Sequence, residues 1–335
     1  MAVIGSHNEQ GAYPAMFFQE SQTWACPVAM EAIVYVIGAG GSGSRIGDNS
    51  DNSYNGRGGG AGGCAVSRLT LAAQNYTITI GSGGEFGEPN ANYFAGSDGG
   101  ASSFVNSGGT TIPTMTGNGG SGGPVSTSAQ NVTTGGGTAT GGNLMNNTGG
   151  GGGPNTSATA KTSAGGGVNL YGSDCHGTGE VSYFGAGGTP HGGTQSGTQK
   201  AYDFTDDGTQ EYGYTRKENI AVSYFSQFIT HQSGTPLGDA SGTAPGTQTG
   251  MTGPLAGSKM FLNYSTYNTS AGLFAFNAPF CGGHALNTSA GPSGKVFSCA
   301  GGVGAGGGGC MATSGDACSG AGGSGLVMIF PIQLG

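Results

Sequence analysis

Any chemistry in this chain of 335 residues must come from a few side chains, because only 8% of its residues are charged. Cys281-x-x-His284 and Cys175-His176 supply thiol and imidazole groups of the kinds that bind zinc. The spacing within each pair is tolerable, but nothing in the sequence joins the two pairs. Small buried thiols and polar histidines explain the same residues, and no metal is expected. Asp48, Asn49, Asp51 and Asn52 gather oxygen ligands in one stretch, and Asp203, Asp206, Asp207 and Glu211 do so in another. Neither keeps the EF-hand spacing with its closing glutamate, so solvated turns are expected rather than calcium loops. Asp206, Asp207 and Glu211 also raise two-carboxylate glycoside hydrolysis, whose mechanism depends on a separation that sequence does not supply. Gly38-Ala39-Gly40-Gly41-Ser42-Gly43 follows a strand as a dinucleotide loop would, but no helix pattern or correctly spaced acidic residue comes after it. Neither a nucleophile elbow nor a P-loop is present. The chain is read as a non-enzyme with no catalytic residue and no cofactor.

Aromatic side chains offer a different chemistry, that of contact. Residues 168–232 hold Tyr171, Tyr183, Phe184, Tyr202, Phe204, Tyr212, Tyr214, Tyr224, Phe225 and Phe228, with Asp203, Asp206, Asp207, Glu211 and Glu218 among them. Tyrosine beside serine, glycine and asparagine gives a large contact area with adaptable hydrogen bonding, as in antibody paratopes. The same rings would equally fill a small core between glycine layers. Tyrosine favours the first reading and phenylalanine the second. Tyr202, Tyr212 and Tyr214, with Tyr171 and Tyr183, are the candidate binding residues.

The elements that must position such loops begin with Ala32–Gly84. Ile33-Val34-Tyr35-Val36-Ile37 is β-branched or aromatic throughout and reads as a strand. It runs into Gly38–Gly43. A polar loop and a second glycine run, Gly58–Gly63, lead to strand-like Cys64–Leu71. After a turn at Ala73-Gln74-Asn75, the residues Tyr76-Thr77-Ile78-Thr79-Ile80 alternate with period two, the pattern of a half-buried strand. Glycine is nearly a quarter of the chain, 76 residues, against 13 prolines. A collagen helix is excluded because glycine does not recur at every third position. Glycine loses the most backbone entropy on folding. Runs this long are therefore expected to be held as extended three-per-turn helices, polyglycine II-like, hydrogen-bonded side by side.

These stretches, taken in order, resemble the glycine-rich domains of bacteriophage tail fibres and related virion proteins. The resemblance rests on Thr23-Trp24-Ala25-Cys26-Pro27, Val36–Gly41, Gly58–Gly63, Tyr76–Gly81, Gly99-Gly100-Ala101-Ser102-Ser103-Phe104 and the closing Gly322-Gly323-Ser324-Gly325-Leu326-Val327-Met328-Ile329-Phe330. It covers both ends of the chain, while residues 124–298 share only the glycine habit. It implies a structural virion protein, a tail-fibre or tail-tip component that contributes to binding a host receptor. A purely structural head-fibre, decoration or tail-adaptor protein is the alternative, followed by a depolymerase spike. The implied partners are other virion proteins and a protein or glycan receptor on the host cell, with a homotrimer as one assembly.

Net charge is −8 and no basic run occurs, so nucleic acid and anionic membranes are not expected partners. No stretch is long and apolar enough for a membrane helix, so no membrane insertion is expected. The first residues lack the basic and apolar regions of a signal peptide, which fits synthesis in a host cytoplasm and a place in the virion. Seven cysteines at irregular spacing do not make a complete disulfide framework. The expected fold is mainly β, with a sandwich-like core built from both chain ends, packed glycine segments and long loops. The expected organisation is an N-terminal attachment segment (1–30), a β core (31–105), packed glycine segments (106–167), aromatic-rich insertions (168–298) and a glycine-rich return with the closing strand (299–335).

Overall fold

The computed structural model describes residues 2–4, 14–46, 56–87, 93–108, 112–125, 134–152, 165–168, 170, 190–192, 259–261, 274–276, 280, 282–283, 285–288, 296–297, 300–312 and 317–334. Among the described residues there is no helix, and the fold is mainly β. One antiparallel sheet runs in the order Ala2–Ile4, Ala15–Phe18, Leu326–Leu334, Met30–Ile37, Cys64–Leu71 and Met145–Asn147. The opening and closing strands are direct neighbours, with Leu326 opposite Ile37 and Met328 opposite Tyr35. Both ends of the chain therefore build one core, as the sequence led us to expect.

A second antiparallel sheet, Ala139–Thr140, Met115–Gly117, Ser102–Asn106, Asn75–Thr79 and Gln22–Ala25, lies against the first. Between them sits a core of Phe18, Met30, Val34, Val36, Leu71 and Ile329 from the first sheet and Trp24, Tyr76, Ile78, Phe104 and Met115 from the second. Tyr76 stacks on Phe104 with ring centroids 5.1 Å apart, and Trp24 lies 5.7 Å from Tyr76 on its other side. The Tyr76 hydroxyl accepts the Ala72 N–H at 2.9 Å and so braces the turn before its own strand. The alternation read in Tyr76–Ile80 is observed: Tyr76 and Ile78 point inward, while Thr77 and Thr79 lie on the outer side.

The first sheet is covered on its other face as well. Tyr35, Ile37, Cys64, Val66, Leu326, Met328 and Phe330 pack there against Ala61, Val168, Leu170, Phe280 and Ala305. Burial on both faces is why Ile33–Ile37 reads as an unbroken apolar run rather than an alternating one. Cys64 is fully enclosed, and burial pushes its thiol far above the ordinary range, so it acts as a small apolar filler. Phe280 is buried with a φ of 70°, an uncommon backbone conformation for a bulky residue.

Candidate functional site

Beyond the first sheet the chain runs on as glycine-rich segments, and their hydrogen bonds define a lattice. In Gly38–Ser44, Gly38, Gly41 and Ser44 donate to the carbonyls of Gly63, Gly60 and Arg57 at 2.9, 2.9 and 2.7 Å. Ala39 and Ser42 donate to Gly100 and Ser97 at 3.0 and 2.9 Å. Gly40 and Gly43 donate to Gly323 and Gly320 at 2.8 and 2.9 Å. Each neighbour is thus met at every third residue, the periodicity of an extended helix with three residues per turn. Carbonyls complete the ring: Ala39 and Ser42 accept from Gly120 and Gly123, Gly40 from Gly84, and Gly41 from Gly307. Six runs surround this central one, and its backbone is buried throughout.

At its glycine positions such spacing leaves no room for a side chain between the runs. A Cβ at Gly41 would meet the Ser121 carbonyl, and one at Gly40 would meet that of Ala305. Gly304 needs glycine twice over, because its φ is +72° and its position presses against Ile37 and Val168.

The runs share one axis but alternate in direction. Gly38–Ser44, Gly117–Gly123, Gly149–Gly152 and Ala305–Gly309 lead away from the β core, whereas Arg57–Gly63, Gly135–Thr138 and Ser319–Gly325 lead back to it. Val168 donates to Phe280 and Gly165 to Gly283, both at 2.9 Å, so the two ends of the segment 169–279 are rooted side by side on the core. At the far end a third sheet closes the lattice, in the order Pro190–Gly192, Ala285–Thr288, Cys310–Ala312, Arg45–Ile46 and Tyr93–Phe94. The first four strands are parallel. Their chains all head outward, so the connections between outgoing and returning runs gather at this end. It is the candidate functional site.

Buried polar groups fix the site's base. The Ser44 Oγ accepts the Arg57 N–H at 2.6 Å and donates to the Pro124 carbonyl at 3.1 Å, tying both ends of one connection to the start of another. Ser319 Oγ accepts the Gly87 N–H at 2.9 Å, and Ser42 Oγ accepts that of Ser97 at 2.8 Å. On the exposed side, Asp98 Oδ1 accepts the Gly122 N–H at 2.7 Å. Arg45 and Arg57 are almost wholly buried here, and burial lowers the Arg57 pKa. The rim is aromatic: Phe86 and Tyr93 are 49% and 46% exposed, while Phe94, next to Tyr93 in sequence, packs over Gly87.

Tyr171, Tyr183, Tyr202, Tyr212 and Tyr214 lie outside the described residues, as do Cys175, His176, Cys281 and His284. The carboxylate stretches at Asp48–Asn52 and Asp203–Glu211 lie outside them too. Among the described residues no group of three or more His, Cys, Asp or Glu could hold a metal ion. No helix among them is long and apolar enough to cross a membrane. Arg45, Arg57, Phe86 and Tyr93 were not singled out by sequence reasoning. Position is the one signal for Arg45, Arg57 and Phe86, which stand within two residues of a glycine run, and Tyr93 has none.

A comparison with curated proteins finds no match. A family profile described as a glycine-rich domain matches residues 18–236. That span takes in the strands from Gln22–Ala25 to Met145–Asn147, the central runs of the lattice and three strands of the outer sheet, and the chain belongs to this glycine-rich domain family.

Proposed function

We propose that the protein is a structural component of a bacteriophage virion, a tail-fibre or tail-tip protein that presents its loop-bearing end to a host receptor. The observation that carries this reading is the common axis of the glycine runs, whose outgoing and returning segments are joined at one end. A β sandwich anchors one end and a buried backbone lattice spans the middle; the connections after Ser44, Gly123, Gly152 and Gly309 leave the other end, which the segment 169–279, rooted on the core, reaches at Pro190–Gly192. The chain reaches that end at Gly192 and continues in sequence toward Tyr202, Tyr212 and Tyr214. Interface energy concentrates in a few aromatic anchors, and a preorganised base reduces the order lost on binding. In this reading the protein binds and does not catalyse. Its partners are a cell-surface protein or glycan and other virion subunits, with a homotrimer as one assembly. The family resemblance of the ordered glycine motifs supports a place in the virion.

Replacing Tyr202, Tyr212 and Tyr214 together with alanine tests the proposal. Particles carrying the triple variant are expected to assemble normally and adsorb poorly to host cells. Normal adsorption, or failure to assemble, would assign this segment to structure instead.

A further inference from the structure

We draw no further inference here: the strongest candidate, the half-exposed aromatic patch of Phe86 and Tyr93 at the edge of the outer sheet, is an apolar surface, and nothing in the structure shows what covers it.

Discussion

A methyl group added at Gly41 would land on the Ser121 carbonyl, in a run whose neighbours on every side are backbone. Gly41→Ala is expected to lower stability by about 1–3 kcal/mol, the usual cost of overpacking. Ser121→Ala, on the exposed side of its own run, is expected to change stability by no more than about 0.5 kcal/mol. Paired denaturant titrations check both. Glu31 shows how the exposed surface differs. Arg68 donates to its two carboxylate oxygens at 2.6 and 2.9 Å, and this hydrogen bonding holds the Glu31 pKa below its ordinary 4.5. A depressed carboxylate stabilises the fold above the ordinary value, and that contribution fades as pH falls through the depressed one. Arg68→Ala is expected to return the Glu31 titration, followed by NMR, to the ordinary glutamate range and to flatten this acid-side dependence. An unchanged Glu31 titration would show that the pair does not form in solution. Neither Gly41 nor the buried guanidiniums could be ranked from sequence. One glycine among 76 looks like any other, and burial of an arginine depends on contacts distant in the chain.

The strands show why some elements are easier to read than others. Ile33–Ile37 and Tyr76–Ile80 announce themselves because side-chain type and period report burial directly. In the first of these, alternate residues face two different cores: Val34 toward the second sheet and Ile37 toward the glycine lattice. Val34→Ala and Ile37→Ala are therefore both expected to destabilise, Ile37→Ala by about 2–5 kcal/mol. In a sheet with one solvated face, only one of the two would matter, and unfolding curves of the two variants decide. The glycine runs hid a period that the collagen test was not built to find. That test asks for glycine at every third position, whereas this lattice tolerates a side chain at every third position and demands glycine between. Ser82 and Glu85, then Ala95, Asp98 and Ala101, then Asn118, Ser121 and Pro124 follow this spacing. Most of these side chains stand on the exposed side of their runs. Ala39 and Ser42 keep the same spacing in the central run, where only small groups fit. The packing was legible as a habit of composition, but its geometry required knowing which neighbour each residue faces.

At the scale of the molecule, the sandwich and the lattice form one continuous body, because the central strand passes from one to the other at Ile37–Gly38 without a break. All the N–H groups from Gly38 to Ser44 are bonded and buried. Their hydrogen exchange is expected to be as slow as that of Met30–Ile37, since both would open only with the whole fold. Fast exchange across Gly38–Ser44, measured by mass spectrometry or NMR, would mean that the lattice opens independently of the sandwich. The directions of these bonds have a mechanical consequence. A β-sheet is cross-linked within one surface and bends readily out of it. The central run here is cross-linked toward six neighbours around its axis, so the lattice around it is not a single bendable surface. Bending this run in any direction must therefore strain hydrogen bonds to one neighbour or another, so a sideways pull at the outer end is resisted by the lattice and carried to the sandwich.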